Sequence, residues 1–255
     1  MTALPPDSAF HLLRTRALLL GEAGGRNMHF HLPKPLHGWR DFAGEVGIIV
    51  VGVLIALAGE QAVESLHWHS VVVQTRQALD RELADNLGVM QSRIDEGPCI
   101  SRRLAELTTI FRRHANGQPL ALKSSLGQPQ FPHIETSVWE TVVADGATAH
   151  MPLDVRLRYS RFYAEISWFR DKTDEESEAW SHLSQFDDHD LMTEQDWSAL
   201  HQWKARAQSV AAKVDANVSL TTIREMASAL AVKPRPFQFK SASLAARDSL
   251  CRPMI

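Results

Sequence analysis

Cysteine is scarce in this chain: two in 255 residues, Cys99 and Cys251, which excludes a thiolate metal cluster built from one copy. A surplus of basic charge is also missing. The 27 Lys and Arg are offset by 30 Asp and Glu, for a formal charge of −3. The basic residues are interspersed with acids, so no nucleic-acid partner is expected, because phosphate contacts need clustered Lys and Arg. Alternating strand patterns are absent over any length. Catalytic signatures are absent as well: no G-x-S-x-G, P-loop or H-E-x-x-H appears. No catalytic residue, cofactor or metal is therefore expected. What remains is 44% hydrophobic residues, enough for a core in one or two domains.

The most distinctive stretch is GEVGIIVVGVLIALAGEQ, residues 44–61. Its uncharged centre, Val46 to Gly59, is fourteen residues long. That makes about 21 Å of helix, short of a bilayer core of about 30 Å. The flanks extend it. Phe42 to Val63 is 22 residues interrupted only by Glu45, Glu60 and Gln61. Trp39, Arg40 and Trp68 stand just outside, where amphipathic and charged side chains suit the two interfaces. A cleavable signal has one hook, the small residues Ala56 and Ala58, and a buried soluble helix is the other rival. Against cleavage, the hydrophobic region starts directly after Glu45 and the helical phase continues past the site. An uncleaved membrane anchor over 42–66 is the expectation.

Three basic residues precede the span (Arg26, Lys34, Arg40) and two follow it at a distance, Arg76 and Arg81. This bias puts residues 1–41 in the cytoplasm and 67–255 outside, with the protein in the bacterial inner membrane. Glu45, Gly52, Ala56, Gly59 and Val63 fall on one helical stripe, and small residues at such spacing let helices pack closely in lipid. The stripe predicts a homo-oligomer or another membrane protein as partner, besides the lipid bilayer. Glu45 on that stripe is either an ion-responsive carboxylate or a headgroup-level acid favoured by the helix dipole.

Along the chain, 1–27 shows no sustained period and Met28 is an alternative start. Residues 32–38 are too rich in Pro and Gly for a helix. Beyond the span, Leu66, Val73, Leu79, Leu83, Leu87, Met90 and Ile94 keep helical period up to a stop at Glu96–Pro98. A second helix is predicted from Pro98 to about Asn116, then an irregular segment over 117–135. Ser137 with Glu140 predicts a capping box for a short helix ending at Gly146. Pro152 opens a long helix through Val155, Tyr159, Phe162, Ile166, Phe169, Thr173, Glu176, Trp180 and Leu183. Residues 187–190 read as a turn, and Thr193 with Asp196 caps the next helix. A kink is expected at 217–219, an end at 233–236, and a tail to Cys251. The fold class is all-α, with a single N-terminal transmembrane helix continuing into an extracytoplasmic bundle of four to five helices.

WRDFAGEVGIIVVGVLIALAGEQ, residues 39–61, resembles the N-terminal anchor of a broad group of bacterial single-pass membrane proteins of unknown function. The pattern shared is GE-x-x-I-V-V-x-G-V-L-I-A-L. A weaker second landmark is 137–163, where Trp139, Glu140 and Gly146 precede a helix rich in Tyr and Phe. The resemblance covers about a fifth of the chain and implies a single-pass inner-membrane protein with a helical extracytoplasmic domain. The anchor departs from some relatives in ending AGEQ, and the likeness supplies no catalytic residue.

Twelve histidines invite a metal site, but His29/His31 and His67/His69 are i, i+2 pairs that point to different sides of a helix. Asp187, Asp188, His189 and Asp190 could gather a cation, although a solvated turn is the plainer reading. Cys99 and Cys251 are expected to pair in an oxidising compartment. The functional expectation is a non-enzymatic interaction, assembly or sensing module. The alternatives are an ion-channel or ion-motor component using Glu45, and an enzyme on the outer domain.

Overall fold

The computed structural model describes residues 38–239 and 241–255, so the expectations for 1–37, including His29 and His31, lie outside the described residues. Six α-helices and two 3₁₀ turns account for most of it, with no strand among the described residues. The helices are α1 Trp39–Ala115, α2 Ser137–Ala144, α3 Leu153–Leu183, α4 Glu194–Asn217, α5 Leu220–Leu230 and α6 Ser241–Cys251. The chain divides into two compact units, Met1–Ala56 and Leu57–Ile255. In the first, every described side chain from Gly38 to Ala56 is exposed. The second holds the core.

Within the second unit, α1 is the axis against which the other helices are tied. Pairs with α3 advance together along both helices: Asp80 with Tyr159, Glu82 with Tyr163, Arg93 with Glu176. The two helices are therefore parallel. Pairs with α4 run oppositely: His114 with Glu194, Thr108 with Lys204, Arg93 with Asp215. Two apolar clusters result. One gathers Leu83, Leu87 and Met90 with Tyr159, Phe162, Ile166, Val210 and Val214. The other gathers Ile100, Leu104 and Leu107 with Leu126, Trp180, Leu183, Leu200, Leu250 and Met254.

Four local expectations need correction. No helix boundary occurs at Glu96–Pro98: Pro98 lies inside α1. Proline there removes one amide donor, a cost of about 3 kcal/mol in a free helix. The core contacts of Arg93, Glu96, Ile100 and Arg103 on both sides outweigh it. Ser137 does not cap α2; the capping residue is Thr136, which makes no side-chain cap. The phase slip at 217–219 is a full break rather than a kink, with Ser219 accepting from the Thr222 N–H to start α5. The supposed tail contains a helix, α6. By contrast, Thr193 and Asp196 form the reciprocal capping box expected for α4.

Two glycines mark close crossings. A Cβ on Gly88 would lie 1.7 Å from the Arg235 carbonyl oxygen, where the segment after α5 crosses α1. The Arg235 N–H donates to the Ala84 carbonyl at 2.8 Å in the same crossing. Gly127 has φ +67° and would clash with the Leu250 backbone at 2.5 Å. Side chains are excluded from both positions, so the segment after α5 can cross α1 at Gly88 and the irregular segment 117–135 can seat against α6 at Gly127.

Candidate functional site

Two features of α1 draw attention: an exposed apolar length and a buried polar spine. Apolar side chains from Phe42 to Leu66 face outward, with Ile48 76%, Ile55 68% and Leu66 72% exposed. This is the one described helix long and apolar enough to cross a membrane. Burial begins only further along, with Thr75 and Leu79 the first buried positions. So large an apolar surface is foreign to water-facing helices and needs a covering phase.

The residues anticipated from sequence fall on this length. Trp39 and Arg40 are exposed at its start. Glu45, Gly52 and Ala56 are exposed in the first unit, and Gly59 in the second. A Cβ on Gly52 or Gly59 would meet nothing within 4 Å. Trp68 is different. It is half-buried, its indole stacked on the His150 ring at 3.5 Å between centroids with planes 9° apart. Its Nε1 donates to Glu64 at 3.4 Å. A cleft of about 610 Å³ opens beside this pair, lined by Gln61, Glu64, Trp68, His69, Arg76 and His150 among others.

Further along α1, buried polar side chains meet partners on α2, α3, α4 and the segment before α2. Glu82 accepts from the Val138 N–H at 2.8 Å, the Trp139 N–H at 3.4 Å and the Tyr163 hydroxyl at 2.6 Å. It caps α2 from another helix, which explains why Thr136 and Ser137 do not. One turn on, Asn86 donates to the Glu135 carbonyl at 2.6 Å and accepts from its N–H at 3.0 Å. Arg93 grips Glu176 with two nitrogens, at 2.7 and 2.8 Å, both side chains nearly inaccessible. Burial raises the Glu176 pKa, and the Arg93 hydrogen bonds oppose the shift. Glu96 is also raised by burial, against the backbone hydrogen bond from Gln130. Tyr159 and Tyr163 are pushed well above the usual phenol range by burial and by their carboxylate acceptors, Asp80 and Glu82.

The far end of the spine holds the C-terminal segment. Arg103 Nη2 is within reach of the carbonyls of Ser249, Leu250 and Arg252 at 2.9, 3.1 and 2.7 Å. Burial lowers the Arg103 pKa, and Glu106 opposes this. The Met254 N–H donates to Glu106 at 3.0 Å. Beside them the sulfurs of Cys99 and Cys251 lie 2.09 Å apart and their Cα atoms 4.9 Å apart, the spacing of a disulfide.

The chain matches no family model, no curated protein and no solved structure. Its function must be read from the geometry.

Other anticipated groups have ordinary duties. Asp187 accepts the Leu126 N–H at 2.9 Å, and His189 sits 3.4 Å from Asp190. The aromatics of α3 are core: Tyr159, Phe162, Tyr163, Phe169 and Trp180 are buried, and Trp168 packs against them. Sequence reasoning missed His150 and Arg93, and placed Glu176 on the core stripe of α3 without a role. The only prior signal for Arg93 and Glu176 was a charge on an otherwise apolar stripe. Lys204 was also missed: burial lowers its pKa, and its ammonium donates to Thr108 at 2.9 Å.

Proposed function

We propose that this chain is a single-pass protein of the bacterial inner membrane. Its α1 segment 42–66 is the anchor, and its helices beyond 67 form an extracytoplasmic interaction, assembly or sensing module. One observation carries the reading: an apolar surface from Phe42 to Leu66 that nothing among the described residues covers, on the same helix as a fully packed core face. A bilayer supplies the missing covering phase, and the length suits its thickness. The likeness of 39–61 to bacterial single-pass anchors supports the same reading, as does a cysteine pair at bonding distance, which suits an oxidising compartment. The outward-facing small residues Gly52, Ala56 and Gly59 suit a second helix in the lipid, a copy of this chain or another membrane protein.

Membrane fractionation tests the anchor. The protein should stay in the pellet after alkaline carbonate extraction, and recovery in the supernatant would sink the anchor. Orientation is read separately. Leu191 is 85% exposed, so L191C in intact spheroplasts should react with a membrane-impermeant maleimide. Reaction only after lysis would reverse the topology.

A further inference from the structure

From Leu66 to Gln77 the surface of α1 is divided by position. Written as a heptad abcdefg, this stretch has Leu66 and Val73 at d and Ser70 and Gln77 at a. All four are exposed, Leu66 by 72% and Val73 by 41%. So are the flanking e and g positions, His67, His69, Gln74 and Arg76. The remaining positions, b, c and f, are covered. Val71 and Val72 pack against the core, Thr75 is buried, and Trp68 stacks on His150. The bundle therefore takes b, c and f of this helix. It leaves free the four positions that a second, parallel helix covers in a coiled coil. The spacing runs back from Leu66 without a slip, through Val63 and Gly59 at steps of 3 and 4. It stops forward of Gln77, because Asp80 at the next d position accepts from the Tyr159 hydroxyl at 2.5 Å.

We propose that this face of α1 is the seam of a parallel homodimer, a short coiled coil that carries helix pairing out of the bilayer to the base of the bundle. The inference rests on the anchor reading given above. Two anchored copies enter the lipid in the same direction, so their α1 helices meet parallel and level with one another. Confinement to the membrane also raises their effective concentration, which lets a short seam suffice. The face is self-complementary in that arrangement, as a two-fold contact requires. Leu66 and Val73 each meet their own counterpart and leave water together. Ser70 accepts from Gln74 Nε2 at 3.3 Å, which leaves its hydroxyl proton for the serine of the second copy. Gln77 brings both a donor and an acceptor, so two such amides satisfy each other across the axis. Polar residues at a lower affinity but fix register and the number of strands. No carboxylate stands between Leu66 and Gln77, and Arg76 is drawn aside to hydrogen-bond Tyr159 of its own bundle. The seam is thus built from uncharged a and d residues, which suit a second copy better than a strongly acidic or basic partner.

Cysteine cross-linking of the full chain in membranes is the experiment. L66C, S70C, V73C and Q77C should each give a species of twice the chain mass on mild oxidation. Q61C, at f on the opposite face, and L191C, exposed on the bundle, should not. Two further variants are read by analytical ultracentrifugation in detergent. V73E sets two carboxylates against each other across the axis and should leave a monomer. Its melting temperature should equal wild type, because Val73 lies outside both core clusters. S70L replaces a polar residue at a with an apolar one and should tighten the dimer about tenfold, an effect that a residue merely facing water would not produce. Cross-linking that is equal at every position, or missing at 66, 70, 73 and 77, overturns the proposal. So does a cross-linked product that holds a different protein in place of the second copy. Carbonate extraction of the same chains keeps the two readings apart. Wild-type release would mean that the anchor reading itself is wrong, whereas a chain that stays in the pellet and does not cross-link refutes the dimer alone.

Discussion

Single side chains carry unusual weight in this protein because several charged ones are buried. Removing one partner of Arg93–Glu176 strands the other in a dry site. R93M should cost about 3–5 kcal/mol in denaturant unfolding, while R93M/E176L should recover much of it, since a well-packed apolar pair avoids both desolvation penalties. Glu82 answers three donors at once. E82A leaves two backbone amides and the Tyr163 hydroxyl without their acceptor, and should lower stability by about 3 kcal/mol. Y163F, which removes one donor and leaves the α2 cap intact, should cost far less. Glu96 gives a pH signature. Burial raises its folded pKa above 4.5, so the native chain binds that proton more tightly than the unfolded one. Its contribution to stability therefore grows as pH falls through the folded pKa toward 4.5 and shrinks on the way back up. E96Q should flatten the pH dependence of the melting temperature in that window. An unchanged slope would mean that Glu96 is ionised throughout.

At the scale of elements, what was legible in the sequence was what is decided locally. The α4 cap needs only Thr193 and Asp196, three residues apart, and both were readable. The start of α3 after Pro152 and the helical period of Leu79, Leu83 and Leu87 were equally local. Pro98 misled because its penalty is local while the packing that overrides it comes from α3, α4 and α6. The cap of α2 misled for the same reason, since its acceptor, Glu82, lies 56 residues before Val138. α6 was missed because SASLAARDSLC carries few large apolar residues, and its burial centres on Leu250. The stack of Trp68 on His150 has no sequence signal at all. Close crossings are likewise invisible until the chain is folded. G88A should destabilise by about 1–3 kcal/mol despite its better helix propensity, because the Arg235 backbone occupies the space of the methyl group. A melting temperature equal to or above wild type would contradict the crossing. On the exposed stripe, G52C should form dimers on mild oxidation in membranes if copies pack there, and L54C, on the opposite face of the helix, should not. Equal cross-linking would remove the stripe as an interface.

For the whole molecule, the decisive bond joins residues 152 apart in sequence. In the chain-entropy description, closing a loop of that length stabilises the fold by about 5 kcal/mol. Reduction should lower the melting temperature and loosen the Ile100–Met254 cluster first, as read by hydrogen exchange in α6. Mass spectrometry of non-reduced peptides should recover Cys99 and Cys251 in one species, and two free thiols in protein taken from an oxidising compartment would refute the pairing.

The placement of Leu250 and Met254, both wholly buried against α1, has a consequence for how the protein is made. Synthesis is vectorial, so Arg103, Ile100 and Leu107 emerge from the ribosome long before the residues that cover them. Throughout elongation the middle of α1 is an unfinished surface with a free thiol at Cys99. It is sealed only when residues 250–254 arrive. A nascent chain stopped short of residue 250 keeps an open cluster, an unanswered guanidinium and a reactive sulfur, the marks by which chaperones and proteases recognise unfinished work.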